Sequence, residues 1–313
     1  MNDPYVSIVI PVYNEQENLD ALFTRLTAVM DKLGKPYEIL FTNDGSRDRS
    51  GSMLLDFHKQ RPKQVRIIDF NGNFGQHMAI MAAFEHARGE VVVTLDADLQ
   101  NPPEEIPKLL AAIEAGHDVV GGYRKHRQDT FFRKYASKLI NGIRAKITNI
   151  RMKDQGCMLR AYRKNIIESI VASEETSTFI PALAYSFAAN PTEVEVEHAA
   201  RAAGESKYHL YDLIRLNFDL MTGFSVVPLQ MFTLFGIVVS ILSTLFVIYL
   251  FIRRLIVGPE AEGVFTLFAI LYLLVGIGIL GLGIIGEYIG RIYKEVRRRP
   301  RFVIRKIYER TNE

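Results

Sequence analysis

Asp96 and Asp98 stand two positions apart at the end of an apolar run, in the order Thr94-Leu95-Asp96-Ala97-Asp98. Two carboxylates so spaced at a strand end can approach one divalent ion, and hard oxygen ligands suit Mg²⁺ or Mn²⁺, which also bind a diphosphate. A solvated turn has the same composition, and only the apolar strand in front of it favours the metal reading. Glu15 and Asp44 follow two other apolar runs, where a carboxylate could accept hydrogen bonds from a nucleobase or a ribose, with Pro11 and Tyr13 shaping the base pocket. Opposite in charge is Tyr123-Arg124-Lys125-His126-Arg127, followed by Arg133, Lys134 and Lys138. These cations could hold an acceptor phosphate, arginine through two parallel hydrogen bonds, or simply form a solvated helix face. Lys207, after Gly204, could add another.

A phosphate monoester acceptor has a second pKa of about 6, so it is largely dianionic at neutral pH and already a nucleophile. The protein then has to position it, shield it and stabilise the departing group. Asp154 could orient the acceptor or the sugar without acting as a base. Other chemistries lack their signatures: no Gly-x-Gly-x-x-Gly run follows the first strand, and there is neither a Gly-x-x-x-x-Gly-Lys-Ser/Thr loop nor a Gly-x-Ser-x-Gly turn. The single cysteine, Cys157, excludes an intrachain disulfide and a cysteine-rich zinc site. His77, His86, His117, His126, His198 and His209 have no zinc-like spacing and read as surface or core residues.

The elements that must position these residues alternate. Val6–Ile10 is a short strand ended by Pro11 and a polar turn; Leu22, Phe23, Leu26, Val29, Met30 and Leu33 recur at helical spacing; Tyr37–Thr42 is a second strand, leading into Asn43-Asp44-Gly45-Ser46. Strands at Val65–Phe70, Glu90–Leu95 and Asp118–Gly121 then alternate with helices at Gln76–Ala87 and Glu104–Ala115. Such an order predicts an α/β fold with a mostly parallel sheet, helices on both faces, and ligands beyond the carboxyl ends of the strands. The acidic turns fall at those ends. Arg124–Arg151 is a basic amphipathic stretch, and a mixed segment continues to His198.

An apolar share of 48% over 313 residues conceals an uneven distribution. Met231–Ile252 and Val264–Gly286, of 22 and 23 residues, contain no Asp, Glu, Lys, Arg or His. As helices they rise about 33 and 34 Å, enough to cross a hydrocarbon core of roughly 30 Å. Arg253–Gly263 carries two Arg and two Glu, whereas Arg291–Glu313 carries nine Lys/Arg against three Glu. The positive-inside bias therefore expects both termini and the main domain in the cytoplasm, and no signal peptide is legible at the N-terminus. The expected organisation is a catalytic domain over 1–207, an interfacial amphipathic region over 208–230, two transmembrane helices with a short periplasmic loop over 231–290, and a basic tail over 291–313. A net charge of +3 is too small to argue for nucleic acid, and Arg297, Arg298, Arg299 and Arg301 read as a contact with anionic headgroups or as plain topology charge.

The runs VSIVIPVYNEQENL at 6–19, NDGSRDRS at 43–50, NFGQHMAIMAAF at 73–84 and LDADLQNPPEEIP at 95–107 resemble those of the polyisoprenyl-phosphate glycosyltransferases of glycosyltransferase family 2. RQDTFFRKYASKLIN at 127–141, DQGCMLRAYRK at 154–164, STFIPALA at 177–184, GESKY at 204–208, EGVFTLFA at 262–269 and GEYIGRIYKEVRRRPRF at 286–302 extend the resemblance nearly end to end. It implies a GT-A nucleotide-sugar-binding domain that transfers a sugar with inversion and releases UDP. By the same resemblance Pro11, Tyr13, Glu15 and Asp44 hold the uridine part of the donor, Asp96 lies at the ribose and diphosphate, and Asp98 is the principal ligand of a divalent metal, Mg or Mn. Arg124, Arg127, Arg133 and Ser137 meet the lipid phosphate, Asp154 and Gln155 line the sugar and acceptor region, and Lys207 assists at the phosphates. Asn43 stands where relatives often have Asp, which argues against a metal role there. The implied acceptor is undecaprenyl phosphate in a bacterial inner membrane. The 127–141, 154–164, 177–184 and 204–208 runs point to 4-deoxy-4-formamido-L-arabinose as the sugar, for lipid A modification. A homo-oligomer, with a tetramer as the expected number, is implied as well; Gly281, Gly283, Gly286 and Gly290 supply small surfaces for helix packing.

Three other readings compete. A glucosyltransferase on the same lipid keeps the architecture and changes the sugar. A processive polysaccharide synthase lacks support, because there is no Gln-x-x-Arg-Trp run and too few spans for a polymer channel. An inactive membrane scaffold would have lost site residues such as Asp98 and Arg133, which are present.

Overall fold

The computed structural model describes residues 3–124, 152–154, 156–173, 179–198, 226–257, 263–297 and 299–310. They fall into two compact units, one built on a sheet and one on two long helices.

The sheet unit begins with β1 (Val6–Val12), α1 (Leu19–Leu33), β2 (Tyr37–Asn43), α2 (Ser50–Gln60), β3 (Val65–Phe70), α3 (Gln76–His86) and β4 (Val91–Thr94). After a 3₁₀ turn at Pro103–Glu105 come α4 (Ile106–Glu114), β5 (Val119–Arg124), β6 (Arg160–Arg163), α5 (Lys164–Ala172), α6 (Ile180–Phe187) and β7 (Pro191–Val196). The eight strands run in the order β7-β5-β6-β4-β1-β2-β3-β8, where β8 (Ile304–Tyr308) comes from the C-terminal end of the chain. β1 lies parallel to both β2 and β4, and β2 parallel to β3. β6 enters antiparallel between β4 and β5, and β8 is antiparallel to β3.

The central strands are buried on both faces, which is why they read as unbroken apolar runs: Val6, Ile8, Val9, Ile10 and Val12 are all solvent-inaccessible. α1 buries Leu19, Leu22, Phe23, Leu26 and Met30, and Phe23 stacks on Phe57 of α2 at 4.1 Å. Each such side chain withdrawn from water contributes about 1.5–3 kcal/mol. α2 has a weak apolar pattern, with only Ser50, Leu54 and Phe57 buried, and sequence periodicity does not reveal it. β6, α5, α6 and β7 lie in what reads as a mixed segment. The expected tail over 291–313 is not one piece, since its first residues end the second long helix and Ile304–Tyr308 pair with β3.

A cleft of about 520 Å³ opens at the amino-terminal ends of β2 and β3, lined among others by Lys35, Glu38, Lys63, Arg66 and Arg88. The acidic turns lie at the other ends of these strands. Arg66 is tied to Glu38 and Glu309, and Arg88 to Glu309, so this cleft holds matched charges.

The second unit contains α7 (Val227–Val257) and α8 (Val264–Val296). Within them Leu229–Arg253 and Ile270–Tyr293 are long and apolar enough to cross a membrane, with mean hydropathies of 2.6 and 2.2. Of their most apolar windows 0% and 6% are buried within the chain, whereas the core helices of a globular domain are mostly buried. A Cβ at Gly281 would overlap the Phe232 ring, so glycine lets the two helices approach there. At Gly283, Gly286 and Gly290 an added Cβ would meet nothing within 4 Å. Of the expected interfacial region 208–230, only Val226–Gln230 falls among the described residues.

Candidate active site

The loops after β1 and β2 are laced together by side chains that the sequence reading passed over. Asn14, at φ 55°, donates its N–H to Ser46 Oγ (3.1 Å) and accepts at Oδ1 from Arg47 N–H (2.8 Å). Gln16 repeats the pattern, donating to Asp48 Oδ2 (3.2 Å) and accepting at Oε1 from Arg49 N–H (3.2 Å). Glu15 N–H donates to Ser50 Oγ (2.9 Å), and Glu15 Oε2 accepts from Asn18 Nδ2 (2.8 Å). Burial acts to raise the Asp48 carboxyl, but hydrogen bonds from the Ser50 side chain, the Ser50 N–H and the Gln16 N–H outweigh it and hold it below the usual range. The recoverable signal is the density of short polar side chains able to bond nearby backbone, Asn14 and Asn18 in the first loop and Asp44, Ser46, Asp48 and Ser50 in the second. Beside this lacing Tyr13 is exposed and Pro11 partly buried, opposite Thr42.

Asp44 is 2% exposed and does not stand open as a free carboxylate. Its two oxygens accept from the N–H groups of Phe74 (2.7 Å) and Gly75 (2.9 Å), immediately before α3. Burial pushes its carboxyl up, and the two N–H donors partly offset this. Asn43 donates Nδ2–H to Asp69 Oδ1 (2.8 Å) and accepts at Oδ1 from Ser46 N–H (3.1 Å). Gly45, at φ 71°, lies so close to the next loop that a Cβ would sit 2.6 Å from the Gly72 carbonyl carbon. The 43–46 turn and the 72–75 loop therefore form one packed ledge at the carboxyl ends of β2 and β3.

Asp96 and Asp98 follow β4 on the same edge of the sheet, both half-buried around the buried Ala97. Gln76, in the first turn of α3, donates to Asp96 Oδ1 (2.6 Å), while Asp98 Oδ1 accepts from Gln100 N–H (3.1 Å). Leu99 adopts φ 59°, a left-handed conformation costly for a branched side chain and typical of a constrained functional turn. Among the described residues no cluster of three or more His, Cys, Asp or Glu could hold a metal by itself, so Asp96 and Asp98, both hard oxygen donors, fit a divalent ion only as part of a set that other oxygens complete. One or two carboxylates completed by phosphate oxygens and water is a usual way of binding Mg²⁺.

Arg124, at the end of β5, pairs with Asp154 through two hydrogen bonds, Nε to Oδ2 at 2.5 Å and an Nη to Oδ1 at 2.8 Å. Asp154 is buried, also accepts from Gly156 N–H, and has its carbonyl held by the fully buried Arg160 at 2.7 Å. His198 brings this pair and the acidic turn into one neighbourhood. Partial burial lowers its pKa, as does the Arg124 guanidinium; the Asp154 and Asp98 carboxylates and a hydrogen bond to the Gln100 backbone oppose the shift. Sequence spacing gave no sign that His198 belongs here. Cys157 is buried, and burial pushes its thiol up to about 11, which leaves it unreactive. Arg127, Arg133, Ser137, Gln155 and Lys207 lie outside the described residues.

A buried acidic ledge, a half-open carboxylate pair and a paired arginine stand at carboxyl strand ends of a mixed α/β sheet of GT-A type, the edge at which such sheets bind ligands. Residues 7–171 match the profile described as "Glycosyl transferase family 2". The chain belongs to glycosyltransferase family 2. It is 50% identical over 305 residues (97% of this chain, 94% of the relative) to the undecaprenyl-phosphate 4-deoxy-4-formamido-L-arabinose transferase of Edwardsiella ictaluri. With the protein of that name from Aeromonas hydrophila it shares 52% over 304 residues, 96% of this chain and 93% of that one. A glucosyl-3-phosphoglycerate synthase from Mycobacterium tuberculosis, crystallised with Mn²⁺, UDP-glucose and phosphoglyceric acid, is similar at a TM-score of 0.48 and 13% identity, over 70% of this chain and 78% of that one.

Proposed function

We propose that the protein transfers 4-deoxy-4-formamido-L-arabinose from its UDP-sugar to undecaprenyl phosphate, with inversion, at the cytoplasmic face of a bacterial inner membrane, for lipid A modification. The observation that carries this reading is the identity of about half, over nearly the whole of both chains, with transferases of that name.

The residues fit the steps the reaction needs. The laced loops at Tyr13–Asn18 and Asp44–Ser50 form the floor for the uridine, and Asp44 acts by fixing the Phe74–Gly75 turn. Asp96 and Asp98 would hold a divalent ion, Mg²⁺ or Mn²⁺, and the chemistry it would supply is positive charge to offset the charge that builds on the departing UDP. Arg124, oriented by Asp154, meets the acceptor phosphate with Arg127, Arg133, Ser137 and Lys207, while Gln155 lines the sugar. The dianionic acceptor attacks the anomeric carbon directly, and no protein base is required.

Membrane topology follows a parallel argument. β3 precedes the two long helices and its partner β8 follows them, so the chain leaves the sheet unit and returns to it. An even number of crossings satisfies that return, and the basic residues of 291–313 favour the cytoplasmic side. A homotetramer is the assembly this reading expects.

The test is conversion of undecaprenyl phosphate by purified protein, with UDP-4-deoxy-4-formamido-L-arabinose and UDP-glucose supplied separately, each with and without divalent ion. Metal-dependent UDP release and a glycosylated lipid with the formamido sugar alone are expected. Product from glucose alone would replace the sugar, and product from neither would overturn the reading.

A further inference from the structure

The residues leading into β8 approach the donor ledge through one aromatic side chain, Phe302. The antiparallel register of β8 with β3 runs Ile67 with Tyr308, Ile68 with Ile307 and Asp69 with Lys306, then shifts at Phe70, which pairs with Ile304. Beyond that shift the pairing continues, because Asn71 N–H donates to Val303 O at 2.9 Å. This brings the half-buried Phe302 ring onto Phe70, stacked at 5.2 Å with an interplanar angle of 11°. Phe70 in turn meets Phe74 edge to face at 5.5 Å. Phe74 carries one of the two N–H groups that hold Asp44, and two residues later Gln76 holds Asp96.

We propose that Phe302 is a positioning residue for the nucleotide diphosphate site. Its ring fixes Phe70 and Phe74, and through them the 72–75 loop that holds Asp44 against the 43–46 turn and sets the first turn of α3 behind Asp96. Without the stack the loop keeps its hydrogen bonds to Asp44 but loses the aromatic packing that steadies Phe70 and Phe74 behind it. The effect should therefore fall on donor affinity more than on turnover. The inference rests on the reading of this ledge as a UDP-sugar site.

The experiment uses the full-length protein in detergent or nanodiscs, with Mg²⁺ or Mn²⁺. UDP affinity is measured by calorimetry, and KM and kcat for each substrate by UDP release. Phe302→Ala should weaken UDP binding and raise the donor KM by about threefold to tenfold, the worth of one aromatic pair. It should leave kcat and the KM for undecaprenyl phosphate within about twofold of wild type, since no catalytic contact is removed. Phe302→Leu keeps apolar bulk without the stack and should show the same donor defect if the alanine variant does not fold; Phe302→Tyr should restore wild-type affinity. Glu309→Gln removes the ion pairs to Arg66 and Arg88 made just past the end of β8, away from the ledge, and should leave UDP affinity unchanged. Unchanged UDP affinity in Phe302→Ala or Phe302→Leu overturns the inference, as does equal weakening in Glu309→Gln, which would mean that strand docking in general is what matters. Absence of UDP binding in the wild-type protein overturns the donor reading and this inference together.

Discussion

The Asn43 amide bridges two strands, donating to Asp69 on β3 at 2.8 Å while its oxygen accepts the Ser46 N–H. An aspartate at this position would set two carboxylates face to face. The Asn in this chain therefore has an electrostatic reason independent of any ligand. Asn43→Asp should destabilise the protein by about 1–3 kcal/mol at pH 8, as expected when a buried hydrogen-bonded donor becomes a like charge. The repulsion raises a carboxyl pKa in the folded state, so the deficit should shrink as pH falls toward 5. Thermal unfolding at the two pH values checks it, and a deficit that does not depend on pH would count against the pairing.

Arg124 and Asp154 form a fork that lysine cannot reproduce, because an ammonium offers no two parallel donors. Arg124→Lys should lower kcat/KM for the lipid acceptor by at least about tenfold while leaving UDP affinity near wild type. Asp154→Asn alone should cost about as much as Asp154→Asn combined with Arg124→Lys, since neighbours acting as one unit are not additive. Strict additivity in that double-mutant cycle would show that the two residues act separately.

Gly281 and Phe232 set the approach of the two long helices. Gly281→Ala should lower the melting temperature of the purified protein by several degrees, corresponding to an overpacking penalty of about 1–3 kcal/mol. Phe232→Ala should relieve the clash when combined with it. Gly283→Ala, where an added Cβ meets nothing within 4 Å, is the control and should be nearly silent.

His77, at the start of α3, packs edge to face against Phe179 at 5.6 Å, and its Nδ1 has no hydrogen-bond partner among the described residues. Burial pushes its pKa down from 6.5 to about 4. The unfolded chain then takes up a proton that the folded chain refuses, so this contribution is fully present above pH 6.5 and is lost as pH falls toward 4. The loss amounts to about 3 kcal/mol across that window. Comparing the stability of wild type and His77→Gln at pH 7.5 and 4.5 isolates it. Parallel decline of the two proteins would sink the assignment.

Much of the frame was legible because it depends on neighbours in the chain. The apolar runs of β1 and β2 and the helical period of α1 announced themselves, as did the two charge-free stretches later placed in α7 and α8. β1 runs on through Pro11 to Val12, past the end read from the sequence, where a parallel partner at Asn43 extends it. α2 stayed hidden because few of its residues are buried, and β8 because a strand of mixed polarity has no identity until its partner is known.

By itself the sequence determined which chemical groups the site has at hand and at which ends of the strands they fall, since strand polarity and local apolar pattern decide both. The tertiary structure alone decided how those groups are used. Asp44 became a buried clamp on Phe74 and Gly75, Arg124 was matched to Asp154 thirty residues on, and His198 was brought beside them. It also returned Phe302 from beyond the apolar helices to stack on Phe70, next to the 72–75 loop. Such pairings join residues far apart in the chain, and no local periodicity records them; they arise only when burial of the sheet brings the strand ends together.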